Sequence, residues 1–173
     1  MQQNVLFRAL GLAICFIPSA FPQSTSTPAA ALPQVKVTFY ASGHFVKSAM
    51  PGYKYGKFSG RIMDEYDQLA MLTYDHFVTF NLDPGPHTFS ANSWLIPRPE
   101  AGGHLKLDLV VGKHYYIGAY LQPLLYLSKY RLEERTCQEA RQENESTKAL
   151  ERKHIKDYGE TRFISETSFP TCP

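Results

Sequence analysis

Between Phe77 and Leu121 the chain alternates apolar and polar residues on either side of two turn signals. Val78, Phe80 and Leu82 lead into Asp83-Pro84-Gly85-Pro86, and His87, Phe89 and Ala91 follow. Leu105, Leu107, Leu109 and Val111 lead into Gly112-Lys113-His114, and Tyr115, Ile117, Ala119 and Leu121 follow. A side-chain period of two gives each segment one buried face, which is the pattern of a strand rather than a helix. The simplest reading is two consecutive β-hairpins.

The turns carry their own chemistry. Asp83 opens a type II turn in which Pro84 presets φ and Gly85 tolerates a positive value. Pro86 cannot donate to a ladder, so the next strand is expected after it. That register opposes Leu82 to His87, Phe80 to Phe89 and Val78 to Ala91. At the second turn a three-residue loop, Gly112-Lys113-His114, opposes Val111 to Tyr115 and Leu109 to Ile117. It gathers the apolar set on one face, which a two-residue loop does not. Tyr116 and Tyr120 then lie on the opposite face, near His104, Lys106 and Asp108. Packing beneath a second layer is the first explanation for so many tyrosines, since strands favour them. An aromatic platform for a sugar or peptide, formed by Tyr116, Tyr120, Lys106 and His104, is the alternative.

Upstream, Val35, Val37 and Phe39 alternate with Lys36, Thr38 and Tyr40 as a first strand. Residues 41–60 read as a loop followed by a strand near Lys54 to Ile62. Asp64-Glu65-Tyr66-Asp67 makes a turn, Gln68 to Thr73 a short strand, and His76 to Leu82 the next. Residues Pro97 to Gly103 read as a loop. From Lys129 to Glu160 the segment holds 16 of the 34 Asp, Glu, Lys and Arg residues, with one Gly and no Pro. Helix formers dominate it and Ser128 suits an N-cap, so a polar, solvent-facing helix is expected. Phe163-Ile164 and Phe169 are expected to dock back on the domain, the first pair as an edge strand.

The amino terminus reads as an export signal over residues 1–21. Arg8 precedes the apolar run Ala9 to Ile17, and Pro18-Ser19-Ala20 closes it. The run is shorter than the ~18 residues a membrane span needs. Ala20 and Ala29-Ala30-Ala31 offer cleavage points. Cys15 invites a lipid anchor, but Ile14 stands where a small residue is usual. Residues 22–34 are Pro, Ser, Thr and Ala with no charge, a disordered tether. The β domain then runs over 35–127, and the charged helix and tail over 128–173.

Removing the signal takes the formal charge from +2 to +1. That balance gives no electrostatic case for nucleic acid, and no later segment is apolar enough to span a membrane. Cys137 and Cys172 remain. In an oxidising compartment the simplest state is a disulfide closing roughly 35 residues, with free thiols as the rival. It would staple the helix to the tail.

The six histidines, His44, His76, His87, His104, His114 and His154, lack ligand spacings of i,i+2 or i,i+4, so no metal or cofactor is expected. Asp64, Glu65, Asp67 and Asp75 lack the glycine-centred loop of a calcium motif. No nucleophile elbow, zinc-protease helix or phosphate loop occurs.

Phe80-Asn81-Leu82-Asp83-Pro84-Gly85-Pro86-His87, followed by Gly112-Lys113-His114-Tyr115-Tyr116, resembles a family of small exported bacterial domains of unknown function. These are similar to PEGA-type surface domains. The resemblance covers roughly Val35 to Leu121 and implies a mostly β, antiparallel β-sandwich. The family's short valine-x-aspartate-glycine turn is replaced by Ile62-Met63-Asp64-Glu65, without the glycine. No catalytic residues come with it. The expectation is a secreted or periplasmic, non-enzymatic binding or structural module of the envelope, with a protein or cell-wall glycan as partner. The rivals are a metal-dependent hydrolase using His87, His104 or His114, and a lipid-anchored form of the same module.

Overall fold

The computed structural model describes residues 33–42, 46–47, 54–55, 57–93, 103–123, 128–145 and 147–172. The expected export signal, most of the expected tether and most of the expected loop from Pro97 to Gly103 lie outside them. The strands are β1 (Val35–Ala41), β2 (Val46–Lys47), β3 (Lys54–Tyr55), β4 (Ser59–Asp64), β5 (Asp67–Thr73), β6 (His76–Leu82), β7 (Gly85–Asn92), β8 (Gly103–Leu109), β9 (His114–Pro123), β10 (Ser128–Arg135), β11 (Lys148–Ala149) and β12 (Phe163–Ile164). One α-helix, α1 (Cys137–Glu143), follows β10. The fold is mostly β.

Two larger sheets organise it. The first has the order β10-β9-β1-β6-β11, with β12 also on β6. It is mixed: β1 runs parallel to β9 and β11 parallel to β6, while the other pairs are antiparallel. The second has the order β5-β4-β7-β8 and is antiparallel throughout. β2 and β3 form a separate pair.

The strands expected between Phe77 and Leu121 are present, but the hairpins are not. β6 pairs with β1 and β7 with β4 and β8, so Asp83-Pro84-Gly85-Pro86 carries the chain from one sheet to the other. Gly85 takes the positive φ that the turn asked for, 122°. The second turn, with Gly112 at φ 85°, likewise joins β8 of one sheet to β9 of the other. A corner preserves alternation as well as a hairpin does, so parity does not tell them apart. β7 also starts earlier than expected, at Gly85. Pro86 is tolerated because β4 reaches along β7 only as far as Phe89. The close antiparallel neighbours are instead β4 with β5, β7 with β8, and β9 with β10. Val111, expected in the core, is exposed beside Val110 at the corner.

The charged segment is not one helix. Ser128 begins a strand rather than capping a helix, and β10 pairs along β9 from Ser128↔Pro123 to Arg135↔Tyr116. Its charges alternate with Tyr130 and Leu132, the period of a strand at a sheet edge. The N-cap is Thr136, whose side chain accepts from the Glu139 N–H while Glu139 reaches back to the Thr136 N–H. Past α1 the chain is strand β11 and two short 3-10 turns, Arg152–His154 and Asp157–Gly159.

One core cluster takes Val37, Phe39, Val78, Phe80 and Ile117 from the first sheet and Ile62, Leu72, Phe89 and Ala91 from the second. Phe39 meets Phe89 edge-on at 5.1 Å between ring centres, joining the two sheets. Each such ring or leucine contributes about 2–3 kcal/mol by leaving water. The first sheet is covered on its other face too. Tyr40, Phe77, Tyr116 and Ala140 are buried there, with Cys137, Ala149 and Phe169 packed against them. The Cys137–Cys172 disulfide ties α1 to the tail over that face, with Cα atoms 5.6 Å apart.

Candidate functional site

The covered face of the first sheet carries a continuous hydrogen-bonded line of side chains. Thr38 and Thr79 are cross-strand partners on β1 and β6, and their hydroxyls lie 2.8 Å apart. His114 Nε2 lies 2.8 Å from the Thr38 hydroxyl, and His114 Nδ1 lies 3.2 Å from the Tyr116 hydroxyl. Thr79 donates to Glu166 Oε2 at 2.6 Å. Since Thr79 spends its proton on Glu166, it accepts from Thr38, and Thr38 accepts from His114 Nε2–H. Tyr116 then donates to Nδ1. Burial, with Lys36 nearby, lowers the His114 pKa to about 4, which keeps the ring neutral as this line requires.

Thr38 and His114 have the spacing of a nucleophile and its base. The direction of the line argues against that use. Nε2 carries the proton, so it cannot take one from Thr38, and Thr38 is fully buried in β1. The same line is an effective anchor: it joins β9, β1, β6 and the tail through four contacts.

Beside it, Tyr40 and Tyr120 both donate to Glu143 Oε2, Tyr40 at 2.8 Å. Arg135 Nε lies 3.3 Å from the Tyr120 hydroxyl, and Arg135 Nη2 lies 2.7 Å from Glu133 Oε2. Burial, with Tyr120 and Glu143 adjacent, raises the Tyr40 pKa far above the usual phenol range, and burial beside Glu143 does the same for Tyr120. Both stay protonated. Gly118 makes room for this arrangement, because a Cβ there would fall 2.0 Å from the Tyr120 hydroxyl.

His87 sits at the other end of the core. Its Nδ1 lies 2.8 Å from Asp64 Oδ2 and its Nε2 lies 3.0 Å from the Asp83 carbonyl. Both partners are acceptors, so the ring is best satisfied as the cation. The hydrogen bond to Asp64 outweighs burial and raises its pKa. Asp83 also meets Arg162 at 3.2 Å. Neither nitrogen of His87 is open to a substrate, and its partners hold the sheet-to-sheet corner. Asp83 therefore does more than initiate a turn.

The expected platform is not assembled. Tyr116 and Tyr120 are 3 % and 1 % exposed, covered by α1 and the tail on the first sheet. His104 and Lys106 are exposed on β8 of the second sheet. His104, but not Lys106, lines a cleft of about 670 Å³ between the edge strands β8 and β10, with Leu105, Gln122, Lys129, Tyr130 and Arg131. The two edges converge at Gly103, where a Cβ would meet the Tyr130 carbonyl at 2.3 Å. Among the described residues, no three His, Cys, Asp or Glu side chains cluster as a metal site would require.

Sequence reasoning missed Thr38, Thr79, Glu143 and Glu166. Thr38 and Thr79 occupy outward positions of their strands, and only the β1–β6 register places them side by side. Comparison with family models, with curated proteins and with solved structures finds no match to this chain.

Proposed function

We propose that this chain is an exported, non-enzymatic binding or structural module of the bacterial envelope, a β-sandwich that engages a protein or cell-wall glycan. One observation carries the reading. The histidines arranged most like catalytic groups, His87 and His114, have both ring nitrogens committed to partners that hold strands, corner and tail together. The disulfide supports an oxidising compartment, as does the resemblance of the turn motifs to PEGA-type surface domains. The contact surface in this reading is the cleft between β8 and β10. Its lining mixes charges of both signs, Lys129, Arg131, Glu133 and Glu134, with Tyr130 and Leu105, which suits a polar partner with an apolar side.

The test is co-sedimentation with purified peptidoglycan sacculi, alongside photo-cross-linking in envelope vesicles from an analogue placed at His104. Binding should weaken at least fivefold in the Lys129→Ala/Arg131→Ala variant and be unaffected by Tyr66→Ser, exposed on the β4–β5 turn at the other edge of the second sheet. Equal binding by the double variant and the wild type refutes the assignment of the cleft. No capture by either method refutes the binding role.

A further inference from the structure

The tail from Ser165 to Cys172 is attached in an unusual way. Among the described residues, no main-chain hydrogen bond joins it to the rest of the protein; the last such bonds belong to β12 and Arg162. Three side chains hold it instead. The Glu166 carboxylate accepts from Thr79, the Phe169 ring packs against three aromatic rings, and Cys172 bonds Cys137. Phe169 lies 5.3 Å from Phe77, 5.7 Å from Tyr40 and 6.0 Å from Tyr116, ring centre to ring centre. The anchors fall at every third residue, with exposed Thr167, Ser168 and Thr171 between them. Open clefts of about 360 and 430 Å³ flank Phe169, so the tail straps the face without filling it.

Anchor side chains spaced along a backbone free of ladder bonds are contacts by which an extended peptide is bound. We propose that this face of the first sheet is a docking site for residues 165–172 of a second copy of the chain. The protein's own tail is then its resident occupant, and reciprocal exchange gives a dimer held by Cys137–Cys172 bridges between copies. The occupant is fixed by chemistry already seen in place, because a second copy brings the same carboxylate, ring and thiol. Exchanging an identical element swaps like contacts for like, and the pivot at Ser165 breaks no ladder bond.

The covalent step balances without an oxidant. A small thiolate attacks the bridge of one copy, forming a mixed disulfide on one cysteine and freeing the other as thiolate. That thiolate attacks the corresponding mixed disulfide on the second copy and releases the small thiolate unchanged. Two bridges within copies become two bridges between them.

Full-length protein, half of it labelled with nitrogen-15, is incubated with a catalytic monothiol at about 1 mM, comparable to the effective concentration of a tethered tail. After alkylation and size fractionation, the Cys137–Cys172 peptides are weighed. Bridged peptides carrying one labelled and one unlabelled half, about half of the total in the dimer fraction, are the expected result. Bridges that remain uniformly labelled overturn the proposal. A synthetic peptide of residues 163–172 separates docking from random exchange. Supplied as its Cys172 mixed disulfide with the monothiol, it should be captured by the Cys137 thiolate of the Phe169→Ala/Cys172→Ser chain, with release of the monothiol, at least tenfold more at equilibrium than the same mixed disulfide carrying Phe169→Ala. Equal capture by the two peptides also overturns the proposal, even where hybrid bridges form.

Discussion

Replacing Glu143 with Leu tests how the covered face is held. Glu143 Oε2 accepts from both Tyr40 and Tyr120, whose residues are 0 % and 1 % exposed. Hydrogen bonds to a charged acceptor contribute about 1.5–3 kcal/mol each, so the pair contributes roughly 3–6 kcal/mol. Part of this is recovered in the variant. Tyr40 can donate to Tyr120, whose oxygen is 3.2 Å away, and Arg135 keeps Glu133. One buried phenol donor stays without a partner, so the expected loss is about 3–4 kcal/mol. Glu143→Gln keeps an oxygen acceptor without the charge and should lose about half as much. The measurement is urea unfolding followed by near-ultraviolet circular dichroism, arranged as a double-mutant cycle with Tyr120→Phe. A coupling energy of about 1.5–3 kcal/mol is expected. Coupling below about 0.5 kcal/mol, or a Glu143→Leu loss below about 1 kcal/mol, would show that the hydrogen bonds are not what holds α1 to the sheet.

Three further outcomes are expected. Glu65 adopts φ 52° at the β4–β5 turn, so Glu65→Gly should stabilise by about 1 kcal/mol, measured as a raised urea midpoint with unchanged slope. Removing the bridge with Cys137→Ser/Cys172→Ser, which opens a loop of 35 residues, should cost about 3–4 kcal/mol in the same assay. The two histidines should give opposite pH slopes. His87, with its pKa raised by Asp64, stabilises fully below about pH 6.5, and this contribution fades as pH rises through the raised value. His114, held near 4, binds its proton more weakly folded than unfolded, so stability falls as pH drops from about 6.5 towards 4. Unfolding midpoints from pH 4 to 8 should lose the upper slope in His87→Asn and the lower slope in His114→Gln. Unchanged profiles would refute these assignments.

The strands were legible because period-two alternation is a local property, read from Val78, Phe80 and Leu82 without knowing any neighbour. Pairing is not local. Turn chemistry at Pro84-Gly85 specifies a change of direction, and a change of direction serves a corner between sheets as well as a hairpin within one. A better cue was present in Tyr115 to Tyr120 and in Val37 to Ala41, where nearly every residue is apolar or aromatic. Continuous runs of this kind mark strands buried on both faces. Read that way, Tyr116 and Tyr120 belong under a covering layer from the start. The charged segment misled for the opposite reason: its composition favours a helix, while pairing along β9 made Ser128 to Arg135 an edge strand. The turn at Glu65 was recognised without its glycine, and the structure still demands the glycine's conformation there.

The position of β1 governs the order in which the fold can form. β1 lies inside the first sheet, between β6 and β9, and Thr38 finds His114 only 76 positions along the chain. A chain threaded amino end first through a translocation pore therefore emerges with its central strand lacking both neighbours. Loop closure over such separations is slow, and an incomplete sheet offers little to resist unfolding. In the exported role proposed above that delay is useful at the pore, since the part already across cannot fold and stall the rest. Its cost is a solvent-exposed Val35–Ala41 strand that needs shielding from other chains until β9 arrives.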